Sequence, residues 1–335
     1  MKRLTALLVL CSAFAAAAPA LELKDGRIKL VVDDRSGRFA LYYLVDAAKG
    51  SYQPLMYDQE TRTSYLTLYL DQRAYKLGES ADFKVTVARE GDGIRVSYRS
   101  SHCAISQTFS IVASAGGTKD SLRISFSLEN VSEKDLSIGL RMLLDTWLGE
   151  KSGAHFSTQS AGPVSTELTL SGSYTDSWVR SPGDSGATFQ LTLADPTTRP
   201  DRVILANWKR LNDSPWSMET SPSRTFTLLP YSINDSAMAV FWDPVTVRKG
   251  STRSLDVVLG NQSDPVAASV AATSAPLSSA TLSSAPLDLA SDLVAVREVL
   301  ARLNEALASG TPPSAELLAQ YASIIALLES RKEGY

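Results

Sequence analysis

From Leu21 to about residue 262 the chain is a succession of short runs in which apolar and polar residues alternate, broken by turn residues. No long helical pattern interrupts them. RIKLVVD leads through DRSGR into RFALYYLVD, where Phe39, Leu41, Tyr43 and Val45 fall on one face at period two and predict a hairpin. TSYLTLYLDQ, FKVTVARE and GIRVSYRS follow, the last two joined through Gly91-Asp92-Gly93. Similar runs recur to SLDVVLG, which ends at Gly260. Strands without crossover helices predict antiparallel sheets packed face to face. About 240 residues is large for a seven-strand sandwich, and no linker breaks the run. The expectation is one large antiparallel β-sandwich over residues 21–262, in a mainly β chain that ends in a helical hairpin.

The N-terminus, MKRLTALLVLCSAFAAAAPALE, has a basic start (Lys2, Arg3), an apolar run from Leu4 to Ala17 and small residues at Ala18-Pro19-Ala20. That pattern predicts a signal peptide over 1–20, cleaved after Ala20, and a periplasmic or cell-surface protein. The apolar run is short for a bilayer span of roughly 20 residues. Removing Lys2 and Arg3 takes the formal charge from −3 to −5. No basic stripe follows, which argues against a nucleic-acid partner, and no later stretch is apolar enough to predict a transmembrane segment. Loss of Cys11 leaves Cys103 alone, so no internal disulfide is expected. Asn130-Val131-Ser132 and Asn212-Asp213-Ser214 match the glycosylation acceptor pattern.

Past residue 262 the texture changes. Residues 263–287 are rich in Ser, Ala and Pro, and Pro265, Pro276 and Pro286 prevent a continuous helix, so a semi-extended linker is expected. From 288 to 333 two amphipathic patterns predict a helical hairpin. Leu289, Leu293, Val296, Leu300, Leu303 and Leu307 form a seam at alternating spacings of four and three. Gly310 and Pro312-Pro313 stop the first helix. Leu317, Leu318, Tyr321, Ile324, Ile325 and Leu328 make the apolar face of the second. Two helices facing only each other bury too little to offset their ordering entropy. The seam (Leu293, Val296, Leu300, Leu303, Leu317, Tyr321, Ile324, Leu328) is therefore expected to meet the β-domain, a second copy or a protein partner.

The β-region offers two segments richer than scaffold. LLDTWLGEKSGAHF carries Asp145, Trp147, Glu150 and His155, and ANWKRLNDSPWSME carries Trp208 and Trp216, read as a polar loop. Two carboxylates about 5–9.5 Å apart would suit glycoside chemistry, which makes Asp145 and Glu150, with His155 as an acid, the candidate catalytic residues. Trp147, Trp208 and Trp216 are the candidate glycan-binding residues, with Trp178 a further aromatic. The competing expectation is that Asp145 caps a turn and the tryptophans pack. Two histidines without metal-ligand spacing predict no metal site, and no cofactor is expected. Loop carboxylates at Asp33, Asp34, Asp58, Glu60 and Asp145 leave calcium as a weaker reading. His102 and Cys103 are adjacent on a strand and must point to opposite faces, which excludes a nucleophile–base pair.

NVSEKDLSIGLRMLLDTWLGEKSGAHF, DRVILANWKRLNDSPW and NDSAMAVFWDPVTVRKGSTRSLDVVLG occur in an order that resembles an uncharacterised β-sandwich domain of exported bacterial proteins, spirochaete ones included. The size is also similar to the galactose-mutarotase-like supersandwiches. That fold's catalytic His and Glu positions have no counterparts here, so the resemblance implies a fold and no site. Two function classes follow: a non-enzymatic binding or assembly protein acting through the hairpin, or a carbohydrate-binding or carbohydrate-active sandwich using the Asp145–His155 loop.

Overall fold

The computed structural model describes residues 20–262, apart from 115–116, 152, 184–185 and 194–198, together with 322–323, 325–327 and 329–330. The first unit of the chain, Met1–Ala268, holds every strand described below. The eight predicted seam residues of the C-terminal hairpin, the linker and the predicted signal segment before Ala20 all lie outside the described residues. Among the described residues no helix is long and apolar enough to cross a membrane.

β1 (Ala20–Asp25), β2 (Ile28–Asp33), β3 (Phe39–Asp46) and β4 (Ser51–Pro54) form an antiparallel meander. The predicted β2–β3 hairpin is present, with Ile28 opposite Tyr43. Phe39, Leu41 and Tyr43 are buried, whereas Val45 reaches solvent beyond the end of the core. β5 (Tyr65–Leu70) and β6 (Arg73–Lys76) pair as a hairpin, and β7 (Lys84–Glu90), β8 (Gly93–Arg99), β9 (Cys103–Ala113) and β10 (Lys119–Asn130) run on as a meander. β11 (Leu136–Asp145) follows, then the short strands β12 (Phe156–Thr158), β13 (Gly162–Val164), β14 (Leu168–Ser171), β15 (Trp178–Pro182) and β16 (Thr188–Thr192). β17 (Arg202–Asn207), the single-turn-plus helix α1 (Trp208–Asp213), β18 (Ser236–Val247) and β19 (Thr252–Asn261) complete the unit.

Two larger sheets result. One has nine strands in the order β13-β12-β15-β16-β19-β10-β9-β8-β7, the other six in the order β14-β17-β18-β11-β5-β6. Alternation explains the first: Cys103, Ile105 and Phe109 of β9 and Leu122, Ile124, Phe126 and Leu128 of β10 point inward, with polar residues between them. The six-stranded sheet is apolar on both faces at its centre. Leu140, Met142 and Leu144 of β11 and Met238, Val240 and Trp242 of β18 enter the main core. Leu143, Ala237, Ala239 and Phe241 form a second cluster on the other face, beneath Leu211 of α1 and the partly buried Trp208, Trp216 and Met218. Phe126 of one sheet meets Trp242 of the other edge to face at 5.8 Å, which places the main core between the sheets. A mainly β, antiparallel sandwich is thus the observed architecture.

Three local readings change. WKRLND, Trp208–Asp213, is a helix rather than a loop, because Asn207 caps it by accepting from the Arg210 N–H. Asn130 is fully buried, and its amide donates to the carbonyls of Lys134 and Val247, so it is no glycan acceptor in the folded chain. Asp33 accepts from Ser36 and Arg35 within its own turn, which accounts for that carboxylate without a metal. Cys103 is buried and its thiol is pushed up to about 12 by burial, with the Glu129 charge adding to the rise, while His102 is exposed.

Candidate functional site

β11 and β18 are antiparallel neighbours, with Asp145 opposite Ala237. Asp145 is the last residue of β11 and Asp235 immediately precedes β18, so both carboxyls emerge at the same end of the sheet. Each follows the same logic: an acid at the point where a buried apolar strand meets the surface. Beyond β11 a 3-10 turn, Leu148–Lys151, carries Glu150 back over that end. The turn depends on Gly149, since a Cβ there would sit 2.1 Å from the His155 carbonyl oxygen. The Gly149 N–H donates to Ser181 Oγ at 3.1 Å. One carboxylate oxygen from each of Asp145, Glu150 and Asp235 lies within 4.8 Å of the other two.

The surrounding polar groups hold the three in place. The Ser236 N–H donates to Glu150 Oε1 at 3.0 Å, and Ser236 Oγ donates to the Thr146 carbonyl at 3.0 Å. Ser232 Oγ donates to Asp235 Oδ2 at 2.6 Å. The Asp145 N–H donates to Ser64 Oγ at 2.9 Å, and the Asp145 carbonyl accepts from the Tyr57 N–H at 3.0 Å. Asn207 Nδ2 lies 2.9 Å from the Phe226 carbonyl, 2.7 Å from Ser232 Oγ and 3.0 Å from the Asp235 carbonyl, and so closes the 226–235 loop onto the sheet.

Among the described residues no cation pairs with any of the three acids. Burial pushes Asp145 up to about 7; the Thr63 side chain opposes the shift and the Asp235 charge adds to it. Burial likewise takes Glu150 to about 8, against the Ser236 N–H and with the charges of Asp235 and Asp145. Asp235 is raised by burial and held back by Ser232. Glu150 therefore keeps its proton at neutral pH and Asp145 titrates around it, and a protonated carboxyl both donates and accepts hydrogen bonds. By donor type the same three oxygens would suit a hard divalent cation. Such an ion takes six to eight oxygens and must first displace the protons.

Exposed apolar side chains belong to the segments bonded to the trio. Tyr57 is 37% exposed beside Asp145, and Leu229, Tyr231 and Ile233, in the loop tied to Asp235, are 70%, 74% and 64% exposed. The candidates read from sequence distribute unequally around it. Asp145 and Glu150 come together. His155 does not join them: its ring packs at 4.5 Å on Phe226, Nδ1 has no hydrogen-bond partner, and burial alone lowers its pKa. Trp208 borders the site, its indole N–H donating to the Thr63 carbonyl at 2.9 Å and its backbone N–H to the Asp235 carbonyl at 3.0 Å. Trp216 packs instead on Tyr69 and Phe241 outside the six-stranded sheet. Trp147 packs against the main core with its indole N–H unpaired. Trp178 lies under the Arg180 guanidinium at 4.0 Å. Asp235 and Tyr231 are additions from the structure. The signal for Asp235 was its place before the AMAVFW strand, which repeats the relation of Asp145 to RMLL.

No family model matches the chain, and no curated protein matches it. Solved structures similar to it are galactose-mutarotase-like β-sandwich proteins at low identity. They include a putative aldose 1-epimerase from Escherichia coli K12, 12% identical over 73% of this chain and 99% of that one, with a TM-score of 0.46. A galactose mutarotase-like protein from Lactobacillus casei is 9% identical over 73% and 100%, with a TM-score of 0.44. A heparan sulfate lyase from Pedobacter heparinus is 11% identical over 75% of this chain and 36% of that one, with a TM-score of 0.38.

Proposed function

We propose that the chain is an exported, non-catalytic binding protein of the bacterial envelope whose sandwich end takes a carbohydrate at Asp145, Glu150 and Asp235. One observation carries this reading: three carboxyls with no cationic partner among the described residues gather at the sheet end, next to the exposed Tyr57 and bonded through Ser232 to the loop that carries the exposed Tyr231. Protonated acids and serine hydroxyls match the mixed donors and acceptors of a polyhydroxylated ligand, and exposed aromatic faces match its apolar ring faces. A glycosidase needs an ionised carboxylate facing a protonated acid. Here burial shifts all three acids in the same direction, and among the described residues no cation sets one of them apart as the ionised partner, which supports binding. Export rests on the basic and apolar start of the sequence. The C-terminal seam from Leu293 to Leu328 is the proposed attachment to a second copy or a protein partner.

A glycan array probed with the mature chain tests the proposal. Binding to a defined glycan class is expected, and Tyr231→Ala is expected to weaken it about tenfold or more through the lost aromatic contact. Tyr231 is exposed, so circular dichroism should show the variant folded. A folded chain that binds no glycan, or binds equally well without Tyr231, counts against the assignment.

A further inference from the structure

The opposite end of β11 carries a second feature. Leu136 begins that strand and Asp145 ends it, so a site at Leu136 lies roughly 30 Å from the carboxyl trio at about 3.3 Å per residue. A surface cleft of about 210 Å³ opens there, floored by Leu70, Leu136 and Tyr75. The edge-to-face contact of Tyr75 with Phe83, at 5.6 Å between ring centres, fixes the tyrosine ring.

The cleft walls are basic. Arg73, His102 and Lys134 line it, against the single carboxylate of Asp71. That carboxylate is already engaged: it accepts from Lys134 Nζ at 2.9 Å and from the Ser137 N–H at 2.9 Å, and both bonds hold it below its ordinary pKa. Arg73 has no acidic partner among the described residues. His102 is held by its backbone, which donates to Ser100 Oγ at 3.2 Å.

The turn that presents these groups is under strain. Asp71 and Gln72 both adopt positive φ, 45° and 69°, where a two-residue hairpin turn favours Asn and Gly. The Asp71 N–H donates to the Ser137 carbonyl at 3.0 Å and pins the turn to the start of β11. In a chain of net charge −3, a concave surface with more basic than acidic groups stands out from its surroundings.

We propose that this cleft binds a small organic anion. Its oxyanion head meets the Arg73 guanidinium, with Lys134 and His102 beside it, and its flat body packs on Tyr75 and Leu136. Arginine supplies the forked donor geometry that planar or tetrahedral oxyanions accept in pairs.

Calorimetric titration of the mature chain with phenyl phosphate, phenyl sulfate, benzoate and inorganic phosphate tests this. At least one aromatic anion is expected to bind saturably and more tightly than inorganic phosphate, and the preferred head group identifies the ligand class. Arg73→Gln is expected to weaken that binding about tenfold. Arg95→Gln, which removes an arginine paired with Glu90 elsewhere, and Asp235→Asn should leave it unchanged. Both Arg73 and Arg95 lie on the surface, so neither substitution threatens the fold. Absence of saturable binding by every probe, or binding indifferent to Arg73→Gln, overturns the proposal. Equal affinity for inorganic phosphate overturns the role given to Tyr75.

Discussion

Asp145→Asn/Glu150→Gln is expected to make the sandwich more stable than wild type at pH 8 and to leave it about equally stable near pH 4 (window set by the shifts of the two acids). Both folded-state pKa values are raised, to about 7 and about 8, from unfolded values of 3.8 and 4.5. Below about pH 4 both states hold the protons and no difference arises. As the pH rises the unfolded chain releases them first, so stability falls until the folded acids ionise in turn. The amides mimic the protonated acids and have nothing to release. The advantage of the variant should therefore grow through this window, reaching on the order of 5 kcal/mol after allowance for solvent screening of Glu150. Urea unfolding at several pH values measures it. A variant that loses stability equally at both ends of the window would mean the acids are ionised in the folded chain.

Arg141→Met should destabilise the fold by about 3 kcal/mol. Arg141 is 1% exposed on the outer face of β11. Its Nη1 donates to the Ser214 carbonyl at 2.7 Å and its Nη2 to the Leu211 carbonyl at 2.6 Å. Burial draws its pKa down to about 10, with Tyr65 acting the other way. No carboxylate faces it among the described residues; carbonyls at the C-terminal end of α1 receive the charge instead, which suits their partial negative character. The guanidinium also lies 5.5 Å from the Phe241 ring. Methionine fills similar volume but removes the only side-chain donors to the two carbonyls among the described residues, leaving Leu211 with just the Ser214 N–H at 3.3 Å. Arg141→Lys should recover less than half of the loss, because one ammonium cannot span both acceptors with a fixed fork. Since α1 begins at Trp208, whose two N–H groups reach Asp235 and Thr63, faster amide exchange in α1 should accompany the loss.

The difference between what could and could not be read from sequence follows from the range of the interactions. Period-two burial along β8, β9 and β10 is local, so the strands and the antiparallel sandwich were legible. β11 was legible as a strand but not as one buried on both faces. Its outer cover is α1, and that helix is hidden in sequence by polar residues that an Asn207 cap organises. Asp145 and Glu150 were found because they share one segment. Asp235 was missed as their partner because ninety residues separate it from Asp145, and only the β11–β18 register joins them. His155 looked equivalent to Glu150 in the loop, yet its backbone lies close against Gly149 and its ring packs on Phe226. Tyr231 gave no periodic signal, since its loop is positioned by side-chain bonds from Asn207 and Ser232 rather than by a ladder.

The most direct test of the proposed site is carbon-13 NMR of the side-chain carboxyls through a pH titration, with and without the glycan selected on the array. Asp145 and Glu150 are predicted to titrate near 7 and 8, and their resonances, with that of Asp235, to move when the glycan is added. Titration of all three in the ordinary range of about 4, unchanged by the glycan, would contradict the account.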